Sequence, residues 1–190
     1  AKSYSQLTLV LDFEEDSKGK TPGAYAVTEG GQKDKLESST NEVVFNKSFE
    51  ITPGRQTNFV MDFDLRKSVQ RTSSNPNDLN FASSGSLRNF IRLVKKDETG
   101  IIKGKMNNYN PDSDGKIIVY AYKKGTFDQA VETDLQAQVQ FSNAITSTTT
   151  DAIGEYELHF LEAGDYEVIF ASYKDEDQNG QLELSGKASV

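Results

Sequence analysis

The sequence predicts an all-β fold of two consecutive antiparallel β-sandwich modules, and three observations carry that expectation. Apolar residues fall in short runs that alternate with polar ones, the period of a half-buried strand. Turns bearing Gly, Pro, Asn and Asp separate these runs at short intervals, as they do in a sandwich. The cadence then changes near residue 99, dividing the chain into modules at 1–98 and 99–190.

In the first module, Leu7, Leu9, Leu11 and Phe13 share one strand face, and the Gly/Lys-rich stretch 16–23 that follows reads as a long polar loop. Tyr25 to Thr28 is expected as a short edge strand, 30–41 as a loop, and 42–51 as β again through Val43, Val44, Phe45, Phe49 and Ile51. Thr57 to Val69 is the clearest strand, with Phe59, Met61, Phe63 and Leu65 on its core face. Residues 70–86, rich in Ser and Asn, read as a loop, and Phe90 to Val94 as a further strand.

The second module opens at Ile101, and Ile117 to Tyr122 is a nearly continuous apolar strand. Thr126 to Ala137 is a short helix or an irregular loop, because Phe127, Val131 and Leu135 recur at a spacing of four. Strands return at 138–146, 155–160 and 165–173, with Gly154 and Gly164 in the turns between the last three.

Composition excludes several classes of function. The net charge of −8 argues against a nucleic-acid or anionic-membrane partner, which requires a concentrated basic face. With no cysteine there is no disulfide, no thiolate nucleophile and no cysteine-ligated zinc. No apolar stretch is long enough to span a bilayer.

Two stretches resemble a known family. Phe59-Val60-Met61-Asp62-Phe63-Asp64-Leu65-Arg66-Lys67-Ser68-Val69 and Leu87 to Val94, followed by Gly100-Ile101-Ile102-Lys103-Gly104, resemble the DUF4382 family of exported bacterial proteins, often Bacteroidetes lipoproteins. Beyond them, Ile117 to Tyr122, Thr149 to Tyr156 and Leu161 to Val168 resemble the carboxypeptidase-regulatory/Cna-B type of sandwich, which is transthyretin-like. The resemblance covers about 42–175 and is weaker toward the N-terminus. It implies an extracytoplasmic location at the outer membrane or cell surface, with membrane contact only through a lipid anchor outside this chain. It implies no reaction.

Four constellations merit weighing. His159, the only histidine, lies in phase with Glu155 and Glu157 and reads as an exposed sheet residue rather than a general base. Asp62 and Asp64 share a face at a separation a glycosidase pair tolerates, yet a sugar cleft needs aromatic platforms and the chain has no tryptophan. Lys103 or Lys105 is a candidate for the lysine–asparagine cross-link found in some Cna-B domains, against which the solvated-lysine reading prevails. Asp175, Asp177, Asn179, Gln181 and Glu183 place oxygen ligands at alternate positions around Gly180, the pattern of a calcium loop. Its twelfth position is Gly186 rather than the bidentate Glu of an EF-hand, so this is a candidate Ca²⁺ site competing with an ordinary acidic turn. Asn110 to Gly115 reads as an ordinary hairpin loop.

The expected function is a non-catalytic structural or adhesive cell-surface module of an exported lipoprotein. The alternative is a binding module that holds a carbohydrate or another surface protein with loops at one end of a sandwich, using tyrosines such as Tyr109, Tyr120, Tyr122, Tyr156, Tyr166 and Tyr173.

Overall fold

Alternating runs become strands, and the regular structure of the chain is mostly β. A computed structural model describes residues 1–190 except 28, 29, 39, 72–78, 138, 179–181 and 190. The chain divides into two compact units, Ala1–Lys95 and Lys96–Val190.

The first unit runs β1 (Lys2–Tyr4), β2 (Leu7–Val10), β3 (Tyr25–Val27), β4 (Lys33–Lys35), β5 (Glu42–Phe45), β6 (Phe49–Ile51) and β7 (Phe59–Phe63). Then come α1 (Leu65–Ser68), β8 (Val69–Arg71), β9 (Leu79–Phe81), α2 (Ser84–Phe90) and β10 (Ile91–Lys95). Its strands pair antiparallel in twos: β1 with β6, β2 with β5, β3 with β4, β7 with β10 and β8 with β9. Register sets Leu7 opposite Phe45 and Leu9 opposite Val43, so each pair delivers its apolar side chains to one face. There Val43, Phe45, Ala82, Leu87, Ile91 and Leu93 form the core.

Three expectations are corrected in this unit. The strand predicted over 57–69 stops at Phe63, because the backbone N–H groups of Lys67 and Ser68 both donate to the Asp64 carbonyl and wind a short helix. Leu65 therefore points outward at 64% exposure, while Lys67 and Ser68 are buried. Met61 is also exposed, lying on a face that a two-stranded sheet leaves partly open. The loop expected over 70–86 has 72–78 outside the described residues; its described parts hold the end of β8, β9 and the start of α2, whose N-cap Ser83 accepts a hydrogen bond from the Ser86 N–H. The loop expected over 30–41 contains β4, where the Lys33 ammonium sits 3.7 Å from the centre of the Tyr25 ring.

The second unit runs β11 (Thr99–Lys105), α3 (Pro111–Asp114), β12 (Lys116–Lys123), α4 (Gln129–Glu132), β13 (Thr146–Thr149), β14 (Glu155–Glu162), β15 (Tyr166–Lys174) and β16 (Glu183–Ser189). A four-stranded sheet has the order β13-β12-β15-β16, and β11 pairs with β14. The continuous apolar run of β12 follows from burial on both faces. Ile117, Val119 and Ala121 join Leu158, Leu161 and Phe170 in one cluster. Tyr120 and Tyr122 join Phe141, Ala144, Ile169 and Ala171 in the other.

That second cluster is roofed by the excursion between β12 and β13, where two further expectations change. Asp128 caps α4 by accepting from the N–H groups of Ala130 and Val131. Val131 and Leu135, expected on an apolar face, are exposed, and the side chain that turns inward is Glu132. Of the strand expected over 138–146, Gln138 lies outside the described residues, 139–143 form turns and bends, and strand begins only at Thr146. Phe141 has φ of 54°, a left-handed conformation outside the extended range of regular strand, and its ring stacks on Tyr120 at 4.2 Å.

Candidate functional site

The acidic turn joins β15 to β16. Strand register places Glu183 opposite Lys174, so the last carboxylate of the run returns beside the first. Carboxylate oxygens of Asp175, Asp177 and Glu183 all lie within 4.8 Å of one another. Calcium takes oxygens at about 2.4 Å, so two ligands on opposite sides of one ion stand about 4.8 Å apart. The three side chains therefore suit a single ion. Gln178 at φ 59° turns the loop, and the Glu176 N–H donates to Glu183 Oε2 at 3.3 Å, tying the two arms together. Asn179 and Gln181, the other two candidate ligands, lie outside the described residues. In the second acidic turn Asn110 caps α3, and the Asp114 carboxylate accepts from the Asn110 N–H.

The remaining polar candidates are engaged in structural pairs. His159 is exposed, with Nε2 3.0 Å from Glu157. Glu157 also accepts from Lys103 at 2.5 Å, and that bond, ahead of the field of His159, holds its carboxyl below the usual range. Lys105 faces Glu155 at 3.5 Å, so both cross-link candidates are solvated rungs of one surface ladder. Asp62 pairs with Arg92, and Asp64 with Arg66 and Lys67. Each carboxylate of the supposed glycosidase pair thus has its own cation.

Five of the six candidate tyrosines are likewise committed. Tyr120 and Tyr122 are fully buried, and the Tyr120 and Tyr173 hydroxyls hydrogen-bond at 2.9 Å. Tyr109 donates to the Gly115 carbonyl and Tyr166 to that of Glu162.

Two buried polar centres have no counterpart in the sequence reading. Glu132 is 2% exposed, its carboxylate accepting from the Tyr122 hydroxyl at 2.8 Å, the Asn143 side-chain amide at 2.5 Å and the Asn143 N–H at 3.3 Å. Nothing in the spacing marks it, because α4 is a single four-residue turn whose apolar Val131 faces solvent while Glu132 turns inward. Lys67 lies within the motif that carried the resemblance, yet only the structure shows it buried, 3.1 Å from Asp64 and 5.9 Å from the Phe90 ring centre.

Desolvation pushes the Lys67 ammonium below its ordinary value of 10.5, against the opposing pull of Asp64. The unfolded chain then holds more protons between the lowered value and 10.5, so the contribution of Lys67 to stability rises with pH through that window. It is fully present above 10.5 and lost as pH falls through the folded value. Urea unfolding between neutral and alkaline pH should show this rise in the native protein. In Lys67→Met the difference between the two conditions should shrink, and an unchanged difference would contradict the burial effect.

These features define a class: a two-unit β-rich chain with several charged side chains paired within its own scaffold and an acidic turn between its last two strands. Residues 1–81 match the family described as "Domain of unknown function (DUF4382)". The match includes Phe59 to Val69, one of the stretches that carry the resemblance, and it also covers the N-terminal part, where the resemblance is weaker. It does not reach Leu87 to Val94, Gly100 to Gly104 or the segments compared with Cna-B sandwiches. No curated protein and no solved structure matches the chain.

Proposed function

We propose that this chain is a non-catalytic structural module of the cell surface, built from two sandwich-type β units, with its C-terminal hairpin stiffened by Ca²⁺. The observation that carries the reading is the convergence of Asp175, Asp177 and Glu183 at the tip of β15 and β16. Three carboxylates brought together repel one another, and a divalent cation removes that repulsion while clamping both strands. The solvated ladder of Lys103, Glu157 and His159 and the ion pairs around Asp62 and Asp64 are what a load-bearing scaffold, rather than a reaction centre, requires. Export and lipid anchoring come with the reading from the family resemblance.

A thermal melt of chelator-stripped protein with and without millimolar Ca²⁺ tests it. A site with Kd a hundredfold below the added concentration contributes about 2.7 kcal/mol, which raises the melting temperature of a unit this size by about 10 °C or more. Asp177→Ala should abolish the rise. No rise in the native protein would remove the metal from the account and leave an ordinary acidic turn.

A further inference from the structure

A second feature of the C-terminal unit is independent of the acidic turn. A cavity of about 310 Å³ opens beside α3, lined by Met106, Ser113, Asp114, Ile117, Phe170, Ser172, Lys174, Ser185 and Gly186. Its floor and rim follow from strand geometry. Phe170, Ser172 and Lys174 occupy alternate positions of β15 and share one face, which grades from the buried core outward to an ammonium. Ile117 and Met106 complete an apolar floor, and α3 supplies Ser113 and Asp114 from the other side.

The polar groups are held in place before any ligand arrives. Ser172 Oγ donates to the Asp114 carbonyl at 2.5 Å and lies 2.8 Å from Ser185 Oγ. Ser185 sits where the β15–β16 register shifts, and it reaches the Ser172 carbonyl as well, at 3.3 Å. Ser113 Oγ donates to Asp114 Oδ1 at 3.1 Å. With their protons directed into the protein, these hydroxyls present lone pairs to incoming O–H donors, and Lys174 offers N–H donors to incoming oxygens.

We propose that this cavity binds a single neutral sugar ring. The chemistry matches on three counts. A pyranose carries hydroxyls that both donate and accept around its perimeter, and the rim offers hydroxyls, one carboxylate and one ammonium. It also carries an apolar C–H face, which the floor of Met106, Ile117 and Phe170 would cover. Ligand pockets run from roughly 300 to 1,000 Å³, so a cavity at the bottom of that range takes one ring rather than a polymer segment. One Asp balances one Lys in the lining, and the chain carries −8 overall, which disfavours an anionic ligand.

The test is ¹H–¹⁵N correlation NMR of the full chain in chelator-containing buffer, titrated separately with glucose, galactose, mannose and N-acetylglucosamine, and with glycerol as a ringless control. The chelator keeps the outcome separate from the calcium reading. At least one sugar should give saturable shifts, with Kd on the order of 1 mM, centred on Met106, Ser113 to Ile117 and Phe170 to Lys174. Ser185→Trp, which fills the rim, and Lys174→Ala, a change at the surface, should each weaken binding by about tenfold, equivalent to about 1.4 kcal/mol. The proposal is overturned if no sugar gives saturable shifts, if glycerol reproduces them, or if they survive in Lys174→Ala with a dispersed spectrum.

Discussion

Glu132→Ala should destabilise the C-terminal unit by about 3 kcal/mol, seen as a lower urea midpoint with an unchanged slope. The carboxylate is the common acceptor for the Tyr122 hydroxyl and for two donors of Asn143. Removing it leaves buried donors without an acceptor, each costing about 1–3 kcal/mol, and opens a cavity beside Phe141 and Tyr122. The damage should spread through the excursion. Phe141 is held in its left-handed conformation partly because its N–H donates to the Glu132 carbonyl at 2.8 Å and its ring stacks on Tyr120. Glu132→Gln preserves shape and one acceptor oxygen, so its loss should be smaller, about 1–2 kcal/mol. Equal losses for the two variants would mean that the side chain's volume contributes little and that the full carboxylate, with both acceptor oxygens, is what Glu132 supplies.

Gly115→Ala is expected to cost a similar amount, about 3 kcal/mol, by a different route. Gly115 ends α3 with φ 70° and ψ −157°, a backbone region open essentially only to glycine. A Cβ built there would stand 2.5 Å from the Tyr173 carbonyl oxygen and 2.6 Å from Lys174 Cγ. The first obstacle is backbone held in the β12–β15 pairing, where Lys116 faces Tyr173, so it cannot swing aside. For a unit of this size the loss corresponds to a drop in melting temperature of about 12 °C or more. A variant that melts within about 2 °C of the native protein would show that the close approach relaxes freely.

Some of this was legible because it depends on periodicity. The run Ile117 to Tyr122 announces a strand buried on both faces, and its odd and even positions do divide between two core clusters. Gly104, singled out in the sequence as part of a strand opening, lies opposite Tyr156, whose ring occupies the space a Cβ would take. The alternate acids at 175 and 177 mark the turn itself, and strand pairing adds what sequence distance hides, the return of Glu183 beside them. Other features were illegible for physical reasons. Alternation through Phe59 to Leu65 continues past the point where Asp64 winds the chain into α1, so the pattern overran the strand. Glu132 and Lys67 are charged residues inside the protein, contrary to the rule that charge faces water, and only their partners, brought in by the fold, make that tolerable. The cavity draws its walls from α3 and from four strands or their ends, a gathering that no local spacing records.

The central claim is that Ca²⁺ stiffens one hairpin of an otherwise static scaffold, and backbone amide hydrogen exchange with and without Ca²⁺ tests it most directly. The account predicts that added Ca²⁺ slows exchange in the turn and in the adjoining ends of β15 and β16, around Tyr173 to Asp177 and Glu183 to Leu184, while residues 1–95 are unchanged. Asp177→Ala should erase the difference. Identical exchange in the two conditions, or slowing spread evenly over both units, would contradict it.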